Sequence, residues 1–148
     1  MNRESTDESG LARFVETQES DYACALAEIR NGRKRSHWMW YIFPQLEGLG
    51  HSSTAKFYGI KGADEAKAFL AHPILGPRLI EITNALLGVK GKSAEEIFGY
   101  PDVLKMRSCA TLFAQFAGPS SVFQRVLEKY YDGQADDTTI QFLKKNTA

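Results

Sequence analysis

The segment from Arg33 to Gly50, RKRSHWMWYIFPQLEGLG, restricts the fold of this chain more than any other. Three cations and a histidine precede a run of large apolar side chains, and both tryptophans of the chain lie in this run. An apolar run this dense must be buried or form a binding surface, because an exposed patch of that size promotes association. The aromatic and β-branched content of His37 to Phe43 also fits a strand, but burial in a helical domain favours a short helix stopped before Pro44. We predict the helix.

The composition indicates one globular domain with no electrostatic bias. A chain of 148 residues is long enough to form a core, and its eighteen basic and eighteen acidic residues give a formal net charge of zero. Long nucleic acids are therefore not expected as partners. Cys24 and Cys109 lack metal-binding or CxxC spacing, which predicts reduced, buried thiols. With no secretory signal and no apolar stretch of roughly 18 residues, we expect a cytoplasmic protein that does not enter membranes.

Apolar residues recur at spacings of three and four along most of the chain, which predicts an all-α fold. We expect a compact, non-bundle domain of about seven or eight short helices over residues 13–144, after a disordered leader (1–12) and before a frayed tail (145–148). The first predicted helix begins at Ser20 or Asp21 and ends at Gly32, and a short one begins with a Ser93/Glu96 capping box. Another helix spans 73–89, or begins only at Pro77. The remaining predicted helices are 63–71, 102–117, 122–131 and 138–145.

Arg33 and Arg35 belong to a basic cluster that follows the first predicted helix. Such charges can be solvated groups that favour the helix dipole. They can also bind an anion, because guanidinium groups pair with phosphate while Trp38 and Trp40 stack on a ring. If the helix at 102–117 packs beside this segment, further cations join the same anion pocket. The predicted ligand-binding set is Arg33, Arg35, Trp38, Trp40, Gln45, Lys105 and Arg107.

Two residues are candidates for chemistry. His37 stands between cations and aromatic rings and can transfer a proton, although a lone histidine is also commonly structural. Asp136 can position a water or a ribose hydroxyl, or simply cap the last helix. The three histidines lack matched metal-binding partners, so we expect neither a metal nor a cofactor.

Five segments of the chain are distinctive as a set: GRKRSHWMWYIFPQLEGLG (32–50), YGI (58–60), HPILGPRL (72–79), IFGYPDVLKMRSCATLF (97–113) and YYDGQADDTT (130–139). With these segments the chain resembles an uncharacterised, mostly bacterial family known as domain of unknown function eighteen-ten, sometimes mislabelled calpastatin. The resemblance covers about Phe14 to Leu143 and implies a mainly helical fold with no assigned activity. Cys109 and Ala110 depart from the serine and methionine usual in that family.

Three hypotheses about function follow. The first is a pocket for an anionic, nucleotide-like small molecule, with its hydrolysis left open. The second is a non-catalytic module that docks a protein or a nucleic acid on a Trp38/Trp40 surface with a basic rim. The third is that the aromatic run is core and the site lies elsewhere. Burial of the rings beside a polar pocket would favour the first hypothesis over the second.

Overall fold

The computed structural model describes residues 10–147, and the side chains of residues 10–145. Within this part of the chain there are nine helices and no strand, and a single parallel bridge joins Leu46 to Ile60. The predicted all-α, non-bundle fold is confirmed. The helices are α1 (Ala12–Arg30), α2 (Met39–Ile42), α3 (Ser53–Tyr58), α4 (Ala63–Ala71), α5 (Leu75–Leu87), α6 (Ala94–Phe98), α7 (Asp102–Ala117), α8 (Val122–Tyr130) and α9 (Asp137–Thr147).

Helix α1 is longer than the capping signals predicted. It begins at Ala12 rather than at Ser20 or Asp21, because the buried side chains of Leu11 and Phe14 pack its first turns against the core. The Arg13 guanidinium fixes the same turns through an ion pair of 2.8 Å with Glu65. Burial from distant elements therefore overrode the local start signal. Residues 1–9 of the predicted leader lie outside the described residues.

Local side-chain caps start four of the other helices, and the sequence predicted those at α6 and α9. Ser93 and Glu96 form both hydrogen bonds of a capping box at α6. Ser52 accepts the backbone N–H of Ala55 at α3, and Ser121 accepts that of Gln124 at α8. Asp136 caps α9, which ends at Thr147. Ala148 lies outside the described residues.

Helix α7 lies at the centre of the core and contacts α4, α6, α8 and α9. Its Phe113 ring is fully buried and packs on Phe69 and Phe123, with ring centroids 5.4 and 5.6 Å apart. Cys109 on the same helix is buried as predicted, and burial raises the pKa of its thiol. Cys24 is exposed on α1, so the prediction that both thiols are buried was wrong for this residue. No described helix has both the length and the apolarity needed to cross a bilayer.

The aromatic segment forms the predicted short helix, α2, and most of it is core. Between residues 38 and 43, every side chain except that of Trp40 is at most 8% exposed. Trp40 is half-buried and packs on the edge of the core. The segment therefore contributes one partly accessible aromatic ring to the surface.

Candidate functional site

The basic loop between α1 and α2 folds around the carboxylate of Glu28. Its Oε1 accepts the backbone N–H groups of Arg35 and Ser36, at 2.8 and 3.0 Å, and the indole N–H of Trp38 at 2.9 Å. Its Oε2 accepts the Ser36 hydroxyl at 2.6 Å and the Cys24 thiol at 3.2 Å. One carboxylate therefore fixes the loop conformation and turns the Trp38 ring into the core.

These hydrogen bonds lower the pKa of Glu28. Burial alone would raise the pKa of this carboxyl group, but the hydrogen bonds from Ser36, the Arg35 backbone and Trp38 outweigh it and lower the pKa to about 2. Sequence reasoning missed this residue. The sequence did contain a signal for it. An acidic residue in the last turn of a helix interacts unfavourably with the helix dipole, so such a residue is expected to have a compensating partner.

The basic loop places three of the predicted site residues at the surface. Arg33, Arg35 and His37 are all exposed, and the backbone carbonyl of His37 accepts the Tyr41 hydroxyl at 3.3 Å. Trp38 is only 1% exposed, so in this structure neither face of its ring is available to stack on a ligand. A surface made jointly by Trp38 and Trp40 is therefore not formed.

A second feature joins the aromatic segment to α7. The Lys105 ammonium lies 5.2 Å from the centroid of the Trp40 ring, a cation–π geometry. Lys105 also lies 3.5 Å from Asp102, but the same carboxylate pairs with Lys34 at 2.8 Å. Because two ammonium groups share one carboxylate, this cluster carries an excess of positive charge.

A narrow cleft lies beside the Trp40 ring. Its lining residues are Trp40, Gln45, Ala55, Tyr58 and Gly59. The backbone around it is closely packed, since a Cβ atom on Gly59 would lie 2.7 Å from the Cα of residue 47. The structure therefore brings three of the predicted ligand-binding residues, Trp40, Gln45 and Lys105, to one small region.

Arg107 and Asp136 hold the start of α9. Arg107 donates to the backbone carbonyls of residues 134–135, at 2.9 Å each. One Asp136 oxygen accepts the backbone N–H and the hydroxyl of Thr139 and the hydroxyl of Ser108. Both side chains thus have structural partners that the sequence did not reveal. In the described part of the chain, no group of three or more His, Cys, Asp or Glu residues is arranged to hold a metal ion.

The chain matches a family of proteins of unknown function, DUF1810, over residues 8–143. The chain belongs to the DUF1810 family. It is similar to the crystal structure of the conserved hypothetical protein Rv1873 from Mycobacterium tuberculosis, with 49% identity, a TM-score of 0.88, and coverage of 90% of this chain and 96% of that one. A search of curated proteins found no match.

Three of the segments that carry the family resemblance meet at α7 of this DUF1810 protein. The backbone N–H of Lys34 donates to the carbonyl of Ile97 at 2.7 Å, and its ammonium pairs with Asp102, which joins the basic loop to the start of α7. Ser108 and Arg107 join α7 to the segment before α9. Polar side chains in these segments therefore fix the basic loop and the segment before α9 relative to helix α7.

Proposed function

We propose that this DUF1810 protein binds a small anionic molecule that carries a flat ring, such as a nucleotide, at the face formed by Trp40, Gln45 and Lys105. The observation that carries the proposal is the Lys105 ammonium 5.2 Å from the centroid of the half-buried Trp40 ring. A cation that lies over an aromatic ring brings together the two groups that such a ligand needs, a positive charge for its anionic part and an aromatic surface for its flat ring.

The charge of the cluster supports an anion rather than a neutral ligand. Asp102 is shared with Lys34, whose side chain is only 8% exposed, whereas the Lys105 side chain is 27% exposed. An arriving phosphate or carboxylate meets the Lys105 ammonium first. Arg33 and Arg35, exposed on the adjoining loop, add attraction at longer range.

The cleft beside Trp40 supports recognition of the ring. The side-chain amide of Gln45 has two N–H donors and one carbonyl acceptor, so it can bind the polar edge of a heterocycle. Tyr58 lines the same cleft, and its hydroxyl is held 2.9 Å from that of Thr17. The cleft has a volume of about 10 Å³, which is room for about one water molecule. A ligand ring therefore lies across the mouth of the cleft, against Trp40, with its polar edge towards Gln45.

Hydrolysis of the ligand is a separate step that we do not assign to Asp136, because its Oδ2 already accepts three hydrogen bonds. His37 is exposed on the same loop as Arg35 and is the residue whose replacement tests for turnover. If His37→Ala binds the ligand normally and still converts it, proton transfer by His37 is excluded.

A docking module remains the second candidate because α7 exposes apolar side chains next to Lys105. Leu104 is 49% exposed, and Tyr100, just before the helix, is 75% exposed. These two side chains, with Lys105 next to Leu104 in the sequence, offer apolar contacts bordered by a cation, a composition found at protein interfaces.

A thermal-shift screen against nucleotides, NAD, ADP-ribose, sugar phosphates and a short RNA tests the proposal. A ligand present at 100 times its dissociation constant stabilises the fold by about 2.7 kcal/mol. We expect one small anionic compound to raise the melting temperature, and Lys105→Gln and Trp40→Leu to remove the response. Lys67→Gln is the matched control, because the Lys67 ammonium forms a similar cation–π pair away from this site, 5.6 Å from the centroid of the Phe116 ring.

The outcomes separate the two candidates. A response that survives Lys105→Gln and Trp40→Leu would show that the ligand binds at another place. No response to any small molecule would reject the ligand site and favour the docking module.

A further inference from the structure

A second cavity, of about 340 Å³, is formed by the loop after α2 and helix α9. Its lining residues are Glu47, Gly48, Phe142 and Lys145, none of which lines the cleft beside Trp40. A volume of this size falls within the range of small-molecule sites, about 300–1,000 Å³. The site is therefore distinct from the one proposed above and large enough for a metabolite.

The fold holds one wall of this cavity rigidly. The backbone N–H of Glu47 donates to the carbonyl of Ile60 at 2.7 Å, as part of the bridge between Leu46 and Ile60. The next residue, Gly48, has a φ of +101°, and a Cβ atom there would lie 3.1 Å from the Phe142 ring. Glycine therefore lets the loop approach one edge of the aromatic ring closely. The half-buried Phe142 ring provides the apolar part of the lining, beside two charged side chains.

The charges around this surface have opposite signs. Glu47 provides a carboxylate and Lys145 an ammonium group. Glu47 also lies 3.5 Å from Lys61, but these two side chains are 43% and 55% exposed. A long pair between such exposed groups is weak and easily exchanged, so the carboxylate can accept a second cation.

We propose that this cavity binds a small zwitterion with an apolar side chain, that is, a free apolar α-amino acid. Its ammonium group pairs with Glu47, its carboxylate pairs with Lys145, and its side chain packs on the Phe142 ring. A simple anion would pair with Lys145 alone, and a simple cation would pair with Glu47 alone. Opposite charges on one ligand satisfy both walls.

Titration of the full chain with phenylalanine, followed by the amide resonances of Gly48 and Phe142 in NMR spectra, tests the proposal. We expect saturable shifts at these residues at millimolar ligand. Phenethylamine lacks the carboxylate, 3-phenylpropionate lacks the ammonium group and glycine lacks the apolar group. Each is expected to bind at least about fivefold more weakly, as for the loss of one contact near 1 kcal/mol.

Charge variants locate the contacts. Glu47→Gln and Lys145→Gln are each expected to weaken phenylalanine binding about fivefold or more. Lys144→Gln is the matched control, because Lys144 is an exposed neighbour that does not line the cavity, and it should leave binding unchanged. Both charge variants replace exposed or partly exposed residues, so folding is retained. Equal binding of 3-phenylpropionate and phenylalanine would overturn the role of Glu47. The absence of shifts at Gly48 and Phe142 would overturn the site.

Discussion

Replacing Glu28 by glutamine tests whether one carboxylate organises the basic loop. In Glu28→Gln the amide oxygen can occupy the position of Oε1 and still accept the N–H groups of Arg35, Ser36 and Trp38. The Ser36 hydroxyl can rotate to accept from the new amide group. The geometry is thus conserved, and the variant loses mainly the negative charge that strengthens these bonds.

The magnitude follows from the pKa of Glu28, which the fold lowers from 4.5 to about 2. A difference of this size corresponds to roughly 3 kcal/mol, and solvent screening around the partly exposed carboxylate reduces it to about 1–2 kcal/mol. Because the folded-state pKa is depressed, this contribution to the free energy of unfolding is present above pH 4.5 and is lost as pH falls towards 2. We therefore expect Glu28→Gln to lose about 1–2 kcal/mol at pH 7 and little near pH 2.

Urea unfolding followed by tryptophan fluorescence, at a series of pH values, measures this difference. Glu28→Ala should lose more, about 2–4 kcal/mol at neutral pH, because the buried indole N–H of Trp38 then has no acceptor. Glu95→Gln, an exposed glutamate on α6, is the control and should change stability by less than about 0.5 kcal/mol. Equal stability of wild type and Glu28→Gln at pH 7, or a difference that persists unchanged at pH 2, would refute the reasoning.

Three further predictions concern packing. Gly76→Ala should destabilise the fold by about 1–3 kcal/mol or more in urea unfolding, because its Cβ would lie 2.2 Å from a main-chain carbonyl oxygen of α4. Gly88→Ala, whose nearest contact would be 3.4 Å, should change stability little. Phe113→Ala removes a fully buried ring and should cost about 3–5 kcal/mol in the same assay. With a thiol reagent, the native protein should react at exposed Cys24 alone, and Cys109 should react only on unfolding; equal rates would contradict its burial.

The helices could be predicted well wherever local signals act alone. The helices at 63–71 and 102–117 occupy the predicted ranges, and Ser93 with Glu96 forms the predicted capping box. A cap or an apolar stripe involves residues within four positions of one another, so a single stretch of sequence contains the whole interaction. The family could likewise be recognised from short segments, because the order of residues within each segment identifies the family without any knowledge of the fold.

The candidate site could be predicted only in part. Trp40, Gln45 and Lys105 were chosen from their residue types, and the structure brings them to one region. Trp38 and Arg107 were chosen on the same grounds, yet one lies in the core and the other braces the segment before α9. Residue type shows what a side chain can bind, but the partners it meets depend on which elements pack around it.

The sequence by itself determined the all-α class, the position of most helices and the need to bury the aromatic run, because these follow from periodicity, capping and the cost of exposing apolar surface. The tertiary structure decided which ring of that run faces solvent. Glu28 holds the Trp38 indole inside, while Lys105 from α7 lies over the Trp40 ring. Such contacts join residues distant along the chain, so they exist only once the helices have packed around a common core.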